Sequence, residues 1–84
     1  LVTTASETNV FEMLDCFGVR ECFDLILSQE NIPEDRQKPD PEGFLMAMRH
    51  FGAAPSDTVI FEDSDAGIEA AMKSGAAVMR VMKF

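Results

Sequence analysis

Short apolar runs alternate with amphipathic segments, and glycine or proline stands at nearly every junction. This rhythm constrains the fold more than any other feature of the chain. Leu1 to Thr3 is an apolar start that runs into small hydroxyl residues. Val10, Met13, Leu14 and Phe17 then recur at helical spacing, with Thr4 and Glu7 placed for a capping box and Gly18 for a stop. Phe23 to Ser28 reads as a buried strand, and residues 29–39 as a polar loop. Asp40-Pro41 opens a second helix, with Asp as cap and Pro at the first helical position. Phe44, Leu45, Met48 and Phe51 form its apolar face, and Gly52 ends it. Thr58 to Phe61 reads as a buried strand that ends in Glu62-Asp63-Ser64-Asp65. A third helix follows, with Ile68, Ala71 and Met72 inward and Gly75 at its end. Ala76 to Val81 is a last strand. The order β-α-β-α-β-α-β implies an α/β fold with a parallel sheet, right-handed crossovers and helices on its faces.

In such a sheet, ligands bind at the carboxyl ends of the strands. Thr3 and Thr4 fall at that end of the first strand, and Glu62 and Asp63 at that end of the third. Lys38 falls in the loop after the second. All three places open on one edge, which is the main functional inference that pattern alone allows. Adjacent carboxylates are hard oxygen donors suited to Mg²⁺. A lysine ammonium is a compact charge for phosphate oxygens. A hydroxyl near backbone N–H groups at a helix N-terminus can donate to the same oxygens. Together they describe a phosphoryl-transfer site, where positioning and charge neutralisation supply most of the catalysis. Each residue also has a plainer reading. The acidic cluster can be a helix cap with solvated charge, with Asp65 at the cap or in the first turn. Lys38 can be a surface lysine, Thr3 a strand residue, and the six methionines core gap-fillers.

Composition removes other classes. Fifteen Asp and Glu against seven Lys and Arg leave a formal net charge of −8, which repels nucleic-acid phosphates and anionic lipid. No nucleic-acid or membrane partner is expected. No apolar run approaches the roughly 18 residues of a membrane span. No basic segment followed by an apolar one opens the chain, so the expectation is a cytoplasmic protein with Cys16 and Cys22 reduced. At 84 residues the chain is one domain or a piece of one. Its start inside a strand favours a piece.

Lys38-Pro39-Asp40-Pro41-Glu42-Gly43-Phe44, followed by Val59-Ile60-Phe61-Glu62-Asp63-Ser64-Asp65-Ala66-Gly67-Ile68-Glu69-Ala70-Ala71, resembles the haloacid dehalogenase-like superfamily, in its β-phosphoglucomutase and phosphoglycolate-phosphatase branch. Val2-Thr3-Thr4-Ala5-Ser6, Asn9-Val10, Met13-Leu14 and Phe23-Asp24 are similar to the same family in spacing and order, so the resemblance spans essentially the whole chain. It implies that Thr3, with Thr4, binds the phosphoryl group. Lys38 would steady phosphate and nucleophile, Glu62 and Asp63 would hold Mg²⁺, and Ser64 would help orient the acids. The substrate would be a small phosphorylated metabolite, transferred through an aspartyl-phosphate intermediate.

One departure is large. The family's nucleophile lies in an Asp-x-Asp-x-Thr motif that this sequence does not contain; Asp63-Ser64-Asp65 has the spacing, but Ala66-Gly67 follows it. Nor is there room for the helical cap domain. Residues 1–84 are therefore expected to be the C-terminal part of the core domain, a partial Rossmann-like sheet that lacks the nucleophile strand and has no turnover alone. The resemblance places that strand between the Thr3 and Glu62-Asp63 strands. The two exposed edges would then pair with each other, associate between two chains, or receive the N-terminal half. A phosphosugar mutase of the same superfamily, a Mg²⁺-binding receiver-like domain and a plain interaction module are the alternatives. The receiver type would place its acid pair after the first strand, which this chain does not.

Overall fold

The computed structural model describes residues 1–82. Three α-helices, α1 (Glu7–Cys16), α2 (Glu42–Phe51) and α3 (Asp65–Ser74), accompany two strands, β1 (Val59–Glu62) and β2 (Ala77–Arg80). The strands pair in parallel, with Val59 opposite Ala77 and Glu62 opposite Arg80. Residues 1–27 add one isolated parallel bridge between Val2 and Leu27, flanked by Thr3 N–H to Leu27 O at 2.9 Å and Leu27 N–H to Leu1 O at 2.8 Å. The fold is α/β with parallel pairing, as expected. The four full strands are not seen among the described residues: the first two shrink to that single bridge. Thr4 and Ala5 already bend away from it.

Helix boundaries follow local chemistry. The cap of α1 is Ser6, not Thr4; its Oγ accepts from Asn9 N–H at 3.3 Å. Glu7 supplies no return bond, and its own N–H donates to the Glu30 carboxylate at 2.9 Å. The start of α2 differs from expectation: Pro41, not Asp40, is the cap residue and Glu42 the first helical one, while the Asp40 carboxylate accepts from Glu42 N–H at 2.8 Å just ahead of the helix. Gly52 and Gly75 end their helices at φ 64° and 86°, a left-handed conformation that L side chains avoid. At the start of α3, Ser64 is the cap and Asp65 the first helical residue; the Ser64 hydroxyl oxygen accepts from Gly67 N–H at 3.0 Å.

The core lies between β1 and the helix pair α2–α3. Phe44, Met48, Ile60, Ala70 and Ala71 are buried, with Val2, Ala76 and Val78 against them. The two alanines, fully inaccessible, let α3 lie close. Four expected core residues are exposed, and Leu45 and Ile68 are half-buried. Met13 and Phe17 flank the Val10–Leu14 stripe of α1, Phe51 ends α2, and Met72 is on the outer side of α3 at 68% exposure. Burial in β1 alternates: Ile60 and Glu62 are covered, while Val59 and Phe61 are 53% and 65% exposed. The strand is thus covered on one face, not two, among the described residues.

The two paired segments do not pair with each other. Thr58 O and Glu62 O accept from Ala77 and Val81 N–H, so the alternation of a parallel ladder directs the Val59 and Phe61 backbone groups to the opposite edge. A groove of about 470 Å³ lies along that edge, lined by Val2, Phe44, Met48, Val59, Ile60 and Phe61 among others.

Candidate active site

Lys38 is held by its loop before it does any chemistry. The Gln37 side-chain amide donates to Gln29 O at 3.1 Å and Ile32 O at 3.0 Å, which ties the loop to the preceding turn. The Lys38–Pro39 peptide bond is cis. The lysine side chain is 13% exposed. Its stem runs past Phe44, with Nζ 5.1 Å from the ring centroid. Nζ donates to Val2 O at 3.0 Å and to Glu62 Oε2 at 2.7 Å. An ammonium has three protons, and the third has no acceptor among the described residues.

Glu62 is the last residue of β1 and is buried. Strand alternation turns it toward the helix layer, against the start of α3. Its Oε1 accepts from Asp63 N–H at 3.0 Å, Ser64 N–H at 3.3 Å and the Ser64 hydroxyl at 3.3 Å. Burial pushes the Glu62 carboxyl up. The Lys38 hydrogen bond and charge, with the Asp63 and Ser64 amides, outweigh it and bring the group down to about 2. Gly67 makes room for this: a Cβ there would overlap Glu62 Cγ, Cδ and Oε2. Ser64 therefore orients Glu62 and caps α3 at once.

Asp63 and the threonines present more open groups. Asp63 is exposed, and its carboxylate makes no hydrogen bond or ion pair among the described residues. Thr3 Oγ1 accepts from Ala5 N–H at 3.1 Å, which leaves its O–H proton to donate elsewhere. Thr4 is exposed beside it. Thr3, Thr4, Lys38, Glu62, Asp63 and Ser64 all line one cleft of about 390 Å³ at the carboxyl ends of the strands. All six residues singled out from the sequence thus share one rim.

Two participants were not singled out. The Val2 carbonyl is one; a backbone acceptor leaves no trace in side-chain identity. Gly67 is the other. Its signal was a glycine in the first turn of a helix, where alanine would be favoured by about 1 kcal/mol. No three His, Cys, Asp or Glu side chains converge among the described residues. Asp63 alone offers an uncommitted carboxylate in the cleft. Cys16 and Cys22 lie outside it, unbridged and exposed. No helix among the described residues is long and apolar enough to cross a membrane.

Residues 1–81 match the family model described as haloacid dehalogenase-like hydrolase. A fructose-1-phosphate phosphatase from Escherichia coli is 36% identical over 75 residues, covering 88% of this chain and 39% of that protein. A phosphorylated carbohydrates phosphatase from Thermotoga maritima is 31% identical, covering 89% and 34%. The crystal structure of a haloacid dehalogenase-like protein from Agrobacterium tumefaciens superposes with a TM-score of 0.83 at 34% identity, covering 89% of this chain and 34% of that one. The chain thus spans between a third and two-fifths of the length of these relatives.

Proposed function

The chain belongs to the haloacid dehalogenase-like hydrolase family, and from that premise we propose that the protein carrying these 84 residues is a phosphatase of small phosphorylated metabolites. The observation that supports this is the shared cleft. Lys38, Thr3 and Asp63 border one space of about 390 Å³, with a lysine proton, a hydroxyl proton and a carboxylate uncommitted. The lysine neutralises phosphate oxygens as a point charge. The hydroxyls of Thr3 and Thr4 donate to the same oxygens and fix their orientation. The Asp63 carboxylate suits Mg²⁺, which takes one or two protein carboxylates together with substrate phosphate and water. Mg²⁺ held there would add charge neutralisation at the phosphoryl group.

No covalent acceptor lies among these groups. In our reading the 84 residues form the C-terminal part of the core domain, and the nucleophilic aspartate comes from the rest of the protein. That aspartate takes the phosphoryl group and water releases it. The named enzymes quoted above are phosphatases, which supports that reading; a solved structure described as a β-phosphoglucomutase from Thermotoga maritima, 26% identical with a TM-score of 0.80, supports a mutase as the second reading.

The test is phosphate release from a panel of sugar and polyol phosphates by the full-length protein, with Mg²⁺ and with chelator. We expect turnover that needs Mg²⁺ and falls about a hundredfold or more in Lys38→Ala. The 84 residues alone should release none. Lysine-dependent turnover by that short chain would refute the division of labour, and a full-length protein indifferent to Lys38→Ala would refute the site.

A further inference from the structure

Lys38 reaches the cleft on a flexible stem, so the place of its Nζ depends on how the main chain beneath it is held. That main chain is a turn: Asp40 N–H donates to Gln37 O at 2.9 Å, with Lys38 and Pro39 between them. The exposed Arg36 meets Asp40 and Glu42 only at 3.8 and 3.6 Å, pairs of a kind that hold little. The Gln37 amide is the stronger anchor. Its Nε2 donates to Gln29 O at 3.1 Å and to the carbonyl of the buried Ile32 at 3.0 Å. Two carbonyls at one end decide which amide atom faces them, and Oε1 is left buried with no partner among the described residues. A buried acceptor left unpaired is costly. The two bonds therefore add little net stability, and their use lies in what they hold in place.

The same anchor leads to the threonines of the cleft. Gln29 N–H donates to Ala5 O at 2.9 Å, and Ala5 N–H donates to Thr3 Oγ1 at 3.1 Å. Hydrogen bonds through the Gln29 peptide thus join Thr3 to the residue before Lys38. We propose that Gln37 is a positioning residue that acts through Lys38: by way of the Gln29 peptide it sets the lysine turn against the Thr3–Ala5 segment, so that ammonium and hydroxyl meet one phosphate group together. This rests on the phosphatase reading above. Gln37 itself does not line the cleft, so it acts on phosphate only through its neighbour.

The experiment titrates inorganic phosphate into the full-length protein and follows it by phosphorus NMR, which reaches millimolar affinities, with thermal unfolding of every variant alongside. The variants are Gln37→Leu and Gln29→Pro, each made in the native background and in a lysine-free one, Lys38→Met/Glu62→Gln, which leaves no buried charge alone. Leucine keeps much of the volume of glutamine and neither donor. Proline at position 29 removes the N–H that reaches Ala5 and leaves the Gln37 amide in place. It stands first in the short turn Gln29–Asn31, after the extended Ser28, where the ring is tolerated. The Gln29 side chain itself is exposed. We expect Gln37→Leu to weaken phosphate binding by about fivefold or more, the scale of one lost hydrogen bond, and Gln29→Pro by about threefold or more. In the lysine-free background each should change it by less than about twofold, the margin for changes that do not couple.

A folded Gln37→Leu variant that binds phosphate within about twofold of the native protein would overturn the proposal. So would a Gln37→Leu effect that persists at full size without Lys38, which marks a merely structural role. If Gln37→Leu does not fold, Gln29→Pro decides: undiminished phosphate binding overturns the proposal, and a loss confined to the native background supports it. If the lysine-free background binds phosphate as the native protein does, the phosphatase site falls and the positioning role with it. If Lys38 matters and Gln37 does not, only the positioning role falls.

Discussion

Replacing Lys38 with methionine should produce a stability deficit that is largest at neutral pH and shrinks on acidification. In the native protein the Glu62 carboxyl is held at about 2 against an ordinary 4.5. That difference corresponds to about 3 kcal/mol. Because the folded-state value is the lower one, this stability is present in full above about pH 4.5 and is lost as pH falls toward 2. Methionine keeps most of the stem and removes the charge. Burial, the largest single influence on Glu62, then meets only the Asp63 and Ser64 amides, and the carboxyl rises. At neutral pH the variant holds a buried carboxylate with no counter-charge, at an expected loss of about 3–5 kcal/mol. Protonation relieves it, so the deficit shrinks as pH falls. The measurement is equilibrium urea unfolding by far-UV circular dichroism from pH 7.5 to 3. The other carboxylates cancel in the difference between variant and native protein. If the single variant is unfolded at pH 7, acidification to about pH 4 should restore part of its structure. Parallel stability curves would refute the reasoning, since they would mean that Lys38 does not hold Glu62 in its charged form.

Gly67→Ala should destabilise by about 1–3 kcal/mol, the range for overpacking, although alanine is the better helix former; thermal unfolding measures it, and a stabilised variant would show that Glu62 does not press on α3. Phe61→Lys should lower the binding of an apolar dye to the 84-residue chain and reduce its self-association in sedimentation. Val59, Phe61 and Met79 leave apolar area exposed around the β1–β2 pair, so an unchanged dye signal would mean that Phe61 contributes nothing to that surface.

What could be read from the sequence was chiefly what neighbouring residues decide. Gly52 and Gly75 mark helix ends because a left-handed residue there needs no tertiary partner. Asp40 closes the turn into α2 through a bond to a residue two positions on, although Pro41 takes the cap position itself. Ser64 and Asp65 are both residues that cap helices, and only the path of the chain out of β1 chooses the serine. Burial was legible where one layer covers a stripe, as at Phe44 and Met48, and failed where that cover was assumed. Met72 and Phe17 sit beside buried residues on their helices, yet face no partner among the described residues. The strand pairing was the least legible part. A run such as Phe23–Ser28 has the composition of a buried strand whether one residue pairs or five, because composition carries no register.

The site was legible as a set of residues and not as a set of partnerships. Lys38 and Glu62 are 24 positions apart, and no periodicity relates them; only the parallel direction of the strands brings their loops to one rim. The partnerships answer a difficulty posed by the composition. A chain with net charge −8 that clusters three acids at positions 62, 63 and 65 repels a phosphate ester unless those charges are cancelled where the ester binds. The structure cancels two of them. Lys38 takes Glu62 at 2.7 Å, and Arg80, which does not line the cleft, takes Asp65 at 2.9 Å. The exposed Arg80 pair adds little stability, but it gives one carboxylate of the cluster a counter-charge. Asp63 is left as the single uncommitted negative charge of the cluster, one that a divalent cation would turn into net attraction for phosphate. On this account the buried pair does electrostatic work at the rim, because a free Glu62 would stand there as a second unbalanced charge.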